Sequence, residues 1–113
     1  MPMKIAFTTS KGGLDDKIAE RFGRAQTFTI VEIDNEGNIS SVDIIENPGA
    51  RATSGAGIRA VQKLVDMGID IVVGPSPGPN AHMALQQAGI KLYILPGLTV
   101  KKALNKILEE LSK

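Results

Sequence analysis

Two short runs in the second half of the chain are almost wholly apolar, Asp70-Ile71-Val72-Val73-Gly74 and Lys91-Leu92-Tyr93-Ile94-Leu95. A strand that is apolar on both faces is buried on both faces, which occurs where helices cover a parallel sheet on each side. The sequence around these runs supplies the helices. Ile58, Val61, Leu64 and Val65 recur at helical spacing, with Thr53 or Ser54 as N-cap and Gly68 as the stop. Ala81 to Ala88 reads as a short helix entered through Pro79-Asn80 and ended by Gly89, and Val100, Ala103, Leu104, Ile107, Leu108 and Leu111 form a third apolar stripe.

The first half keeps a different rhythm. Lys4 to Thr9 is an apolar strand, and Thr27 to Ile33 and Ile39 to Glu46 alternate in polarity on either side of the turn Asp34-Asn35-Glu36-Gly37-Asn38. These two form a hairpin. Right-handed crossovers then place the Asp70 and Lys91 strands parallel to the first strand. The result is a three-layer α/β/α domain over residues 1–113, with a five-stranded mixed sheet of order 3-2-1-4-5 whose second strand is antiparallel to its neighbours. The winding reverses between strands 1 and 4. The crevice at their carboxyl ends, lined by the loops starting at Ser10 and Gly74, is where such sheets bind ligands. At the far side, the exposed hairpin edge is open to pairing between chains, so the expected state is a monomer or a weak homodimer.

Composition removes several classes of function. The net charge is +1 and only four residues are aromatic, which leaves neither the basic footprint nor the stacking platforms of a nucleic-acid binder. The absence of cysteine removes disulfides, thiolate metal sites and cysteine nucleophiles. No apolar run is long enough to span a bilayer and the N-terminus has no signal-peptide pattern, so a cytoplasmic protein is expected.

Four candidate sites remain. Lys11-Gly12-Gly13 follows the first strand where α/β proteins often hold phosphate, but Leu14-Asp15-Asp16 puts carboxylates where the phosphates would sit, and a flexible turn is the better reading. Asp15, Asp16 and Glu20 are read as a solvated loop and helix face, because the first strand carries no carboxylate for a two-metal nuclease. The single histidine, His82, lies near a helix start, either as a metal ligand or acid/base group or as an ordinary surface residue. In Glu20-Arg21-Phe22-Gly23-Arg24-Ala25 the two arginines suit an anion. Equally, Phe22 plugs the core, Gly23 takes a positive φ and the arginines are solvated.

The order and spacing of Phe22-Gly23-Arg24-Ala25, Glu46-Asn47-Pro48, Gly55-Ala56-Gly57, Gly68 to Gly74 and Ala88 to Tyr93 resemble the dinitrogenase iron-molybdenum cofactor biosynthesis family over nearly the whole chain. The resemblance implies a ribonuclease H-like topology. It further implies a non-enzymatic accessory protein that binds and delivers an iron-molybdenum or iron-sulfur cluster, with cofactor-assembly or cluster-delivery proteins as partners. The family commonly has histidine where this chain has Arg21, and soft clusters are normally held by cysteine or histidine, of which only His82 is present. The remaining mode is an anion-binding rim of Arg21, Arg24 and Arg51, with Phe22, Gly23, Ser54, Gly55 and Gly57 around it and backbone N–H groups of Gly12, Gly13 and Gly55 to Gly57 as donors. The rival expectation is a protein-protein interaction module of the same fold without cluster ligation.

Overall fold

In the computed structural model, residues 2–112 are described; Met1 and Lys113 lie outside them. The elements are β1 (Met3–Thr9), β2 (Thr27–Ile33), β3 (Ile39–Glu46), a 3-10 turn (Pro48–Arg51), α1 (Ala56–Asp66), β4 (Ile71–Gly74), α2 (Pro79–Ala88), β5 (Lys91–Ile94) and α3 (Val100–Leu111). They form one five-stranded sheet in the order β3-β2-β1-β4-β5. β2 is antiparallel to β1 and β3, whereas β4 runs parallel to both β1 and β5. This is the expected topology, strand for strand.

Register follows from hydrophobicity. In β1 the side chains of Ile5 and Phe7 face α3, and Ala6 faces the opposite layer. Opposite Ala6 stand Ile30 on β2 and Val72 on β4. On one face, Ala60, Val61 and Leu64 of α1 and Ala81 and Leu85 of α2 pack over Ala6, Phe28, Ile30 and Val72. On the other, the Val100, Ala103, Leu104 and Ile107 stripe of α3 packs over Ile5, Phe7, Val31, Ile71 and Val73. Each buried Val, Leu, Ile or Phe among them contributes about 1.5 to 3 kcal/mol, which is why a period-2 strand and a period-3.6 helix lock together here.

Two local expectations change. The N-cap of α1 is neither Thr53 nor Ser54 but Gly55, held in the left-handed region at φ 66°, and no side chain caps this helix. The stretch from Ser10 to Gln26 contains no helix, so Asp16 and Glu20 lie on an irregular loop rather than on a helix face. Among the described residues no helix is long and apolar enough to cross a membrane.

Candidate functional site

The glycine loop after β1 folds around its own acid. Gly12 and Gly13 sit at φ 94° and 103°, a backbone shape that only glycine adopts at little cost. The N–H groups of Ser10 and Gly12 converge on Asp16 Oδ2 at 3.0 and 2.8 Å, and Lys17 N–H donates to Oδ1 at 2.9 Å. Burial alone would raise the carboxyl pKa, yet the backbone N–H groups of Gly12, Ser10, Lys17 and Lys11 outweigh it and hold Asp16 below its usual range. Gly13 N–H donates to Thr29 Oγ1 at 3.0 Å. The donors expected from Gly12 and Gly13 are therefore engaged within the protein, and the loop is a turn fixed by a carboxylate rather than a flexible one.

Downstream, the same loop closes the start of α3. Val100 N–H donates to Asp16 O at 2.8 Å and Lys101 N–H to Leu14 O at 2.9 Å. Lys102 N–H finds the Thr99 hydroxyl at 3.2 Å. All three first-turn donors have partners, as a buried helix end requires.

The Phe22-Gly23-Arg24-Ala25 turn is held by packing of backbone on backbone. Phe22 is buried and meets Phe28 edge to face, with ring centroids 6.5 Å apart. Gly23 does not have the positive φ expected of it. It is glycine because a Cβ there would lie 2.6 Å from Gly57 N, at the first turn of α1. Gly49 is confined in the same way against Gly23 O and Ala56 O. Asn47, only 2% exposed, fastens the assembly. Its Nδ2 donates to the carbonyls of Phe22, Gly23 and Ala25 at 3.4, 3.2 and 2.9 Å, and its Oδ1 accepts from Gly49 N–H at 2.9 Å.

The arginines surround this turn at the surface. Arg24 Nη1 donates to Ala52 O at 2.7 Å, which ties the turn to the segment leading into α1. Arg21 and Arg24 line an open cleft of about 450 Å³ with Ser10, Asp16, Lys17 and Gln26. Arg51 lines a neighbouring cleft of about 420 Å³ that also includes Ser10 and Gln26, and it pairs with Glu46 at 3.3 Å. That pair is exposed on both sides and contributes little to stability.

A third cleft, of about 280 Å³, lies between the starts of two helices: Gly55 to Ile58 on one wall, Pro77 to Ala81 on the other. Here the first-turn donors are unfilled. Neither α1 nor α2 has a side-chain cap or an acidic residue in its first turn. Among the described residues, the N–H groups of Ala56, Gly57, Ile58, Asn80 and Ala81 have no protein acceptor. Gly57 permits the approach of the two helices, since a Cβ at this position would stand 3.0 Å from Ala81 Cβ. Two positive dipole ends and several unpaired donors facing one space favour a negatively charged occupant.

The structure thus brings Phe22, Gly23, Gly55 and Gly57 into one neighbourhood, with Arg24 tethered to it and exposed Ser54 immediately before it. His82 stands apart, exposed on α2 and outside the lining of the cleft. Among the described residues no three His, Cys, Asp or Glu side chains assemble as a metal site. Sequence reading missed the clamp made by Asn47, although an Asn-Pro-Gly run directly after a strand is the signature of an Asx turn. It also missed that the Pro77-Gly78 segment faces Gly55 to Ile58.

Comparison with known proteins agrees with this architecture. An uncharacterized protein of Methanocaldococcus jannaschii is 30% identical over 107 residues, spanning 95% of this chain and 86% of that protein. The apo form of the orange protein from Desulfovibrio gigas superposes with a TM-score of 0.85 at 35% identity, covering 96% of this chain and 88% of that one. A putative NifB protein from Thermotoga gives 0.74 at 31% identity, over 95% and 88% of the two chains. Residues 1–110 match the family described as dinitrogenase iron-molybdenum cofactor, and the chain belongs to that family.

Proposed function

We propose that this chain is a small, single-domain, non-enzymatic binding or carrier protein that receives an anionic metal-sulfur cluster, or another anion, at the carboxyl end of its sheet. The observation that carries the reading is the set of unfilled N–H donors of Ala56, Gly57, Ile58, Asn80 and Ala81 around the cleft between α1 and α2. Membership in a cofactor family and the description of a structural relative as an apo form support it.

The donor set defines how such a cargo would be held. With no cysteine in the chain and His82 outside the cleft, ligation through thiolate or imidazole does not fit. Recognition of the outer, negatively charged face of a cluster by these N–H groups does fit, with Arg24 fastened to the segment leading into α1 and Arg21 in the separate cleft that the two arginines line. Delivery to or from an assembly protein follows from such surface recognition, since no covalent ligand has to be exchanged.

The test is anaerobic incubation of the purified protein with iron and sulfide, with and without molybdate, followed by metal analysis and visible spectroscopy. Titration with molybdate or sulfate alone accompanies it. Binding is expected, and Arg21→Ala/Arg24→Ala should weaken it about tenfold. A colourless, metal-free protein that also ignores both oxyanions overturns the reading in favour of an interaction module.

A further inference from the structure

β3 is apolar on the side that this chain leaves bare. Val42 and Ile44 lie opposite Val31 and Thr29 of β2, which puts them on the α3 side of the sheet, and their neighbours Ser41 and Asp43 point to the other layer. Ser40 is skipped in the pairing with β2: Glu32 pairs with Ser41 and Ile33 with Ile39, a one-residue bulge that returns Ile39 to the face of Val42 and Ile44. Ile39, Val42 and Ile44 are exposed at 43%, 38% and 51%, although a strand face turned to water normally carries polar side chains.

The bare strip is the room left by an uneven distribution of helices. Strands stand about 4.8 Å apart and a helix is about 10 Å across, so a five-stranded sheet takes roughly two helices on each face. α1 and α2 fill one face. On the other, α3 covers β1, β4 and the inward residues of β2, and among the described residues no side chain of β3 joins the cluster beneath it. Both ends of the strip are defined. Ile44 rests against the glycine loop, where a Cβ on Gly12 would lie 2.6 Å from Ile44 Cγ2. At the other end Ile33, the partner of Ile39, opens into a cleft of about 450 Å³ shared with Met3, with Leu108 and Leu111 of α3, and with Asp34 and Glu36 of the turn.

We propose that this strip is the seat of a basic amphipathic helix from a partner protein, laid on the sheet beside α3. Charge selects the partner. Residues 27–50 carry five acidic side chains, Glu32, Asp34, Glu36, Asp43 and Glu46, and no lysine, arginine or histidine. Among the described residues Glu46 is paired, with Arg51, whereas Glu36 at the turn is exposed and has no ion pair. Geometry selects a helix over a strand. The bulge at Ser40 interrupts the ladder that an added edge strand would need. The face from Ile39 to Ile44 runs about 17 Å, close to three helical turns. Apolar residues at i, i+3, i+4 and i+7 would lie on Ile39, Val42 and Ile44, and flanking lysines or arginines would reach Glu36. The seat lies on the opposite face of the sheet from α1 and α2, so the partner docks without covering the cleft between them.

The probe is a synthetic helix of about four turns with leucine along one stripe and lysine elsewhere, together with its twin carrying glutamate for every lysine. In amide correlation spectra the lysine peptide should shift β3, the turn and the end of α3 and leave α1 and α2 in place. The glutamate twin should bind about tenfold more weakly. Val42→Ser/Ile44→Ser should weaken the lysine peptide about tenfold, and Glu36→Lys about threefold with an unchanged circular dichroism spectrum. No binding at millimolar peptide, equal binding of the two peptides, shifts centred on the clefts at the carboxyl end, or an affinity unchanged in either variant overturns the proposal. So does sedimentation equilibrium showing that the peptide-free protein already buries the strip in a dimer that Val42→Ser/Ile44→Ser dissolves.

Discussion

Two backbone cradles lie at the carboxyl end of this sheet, and they differ in what fills them. At the Ser10 to Lys17 loop the N–H groups close on the carboxylate of Asp16, and the same segment supplies acceptors to the first turn of α3. At the α1 and α2 starts, five comparable donors face a cleft and no protein atom accepts from them among the described residues. Backbone donors are therefore gathered in two places, and in one of them the chain supplies its own acceptor. One acidic side chain at the right distance makes the Ser10 to Lys17 loop a structural turn.

The largest expected effect comes from breaking the floor on which the unfilled cradle rests. Gly23→Ala places a methyl group 2.6 Å from Gly57 N, a contact that nothing but backbone movement relieves. Destabilisation of about 3 kcal/mol in urea unfolding is expected, together with loss of anion binding. If stability is unchanged, the turn is not packed on α1 as described.

Emptying the filled cradle is the next step. Asp16→Ala leaves the Ser10 and Gly12 donors to water and should cost about 1 kcal/mol, the scale of losing a helix cap. Sulfate should then restore part of the loss, as it cannot when Asp16 is present. The acid limb of the stability curve should also change. Because the folded-state pKa of Asp16 is lowered, its contribution is present above the unfolded value and disappears as pH falls through the folded one. Below the usual carboxylate range the two proteins should therefore converge in stability.

Filling the empty cradle has the smallest effect on the fold and the clearest on binding. Ile58 is an exposed first-turn residue of α1. Ile58→Glu supplies the missing acid and should stabilise the helix by about 0.5 kcal/mol while excluding an external anion. Calorimetric titration with molybdate checks both halves. Undiminished binding would place the anion elsewhere, at the arginine clefts.

How much of this was legible in the sequence depends on the range over which the cause acts. The strands and helices follow from periodicities within ten residues, and β2, β3 and α3 fall where their alternating or helical patterns place them. Asp16 was legible as an obstacle to phosphate for the same reason, being four residues from Gly12. The roles of Gly23, Gly49 and Gly57 were not. Each is glycine because of a neighbour more than twenty residues away or across a helix pair, and the local cue, a residue able to take positive φ, points to a different cause. The arginines were legible as exposed cations, but the carbonyl that engages Arg24 is 28 positions along the chain.

The Asn47 clamp has a kinetic consequence. A single buried amide joins the turn at Phe22 to Ala25 with the chain around Gly49, and Gly23 in turn rests on the start of α1. None of these segments can swing open without undoing the others. The hydrogen-bonded amides of the clamp itself, Asn47 and Gly49, should then exchange with solvent only through global unfolding, and a bound anion would raise the stability of the whole molecule by mass action rather than merely quieting a loop. Cargo would leave such a site by dissociation or by capture rather than by a swing of the clamped turn.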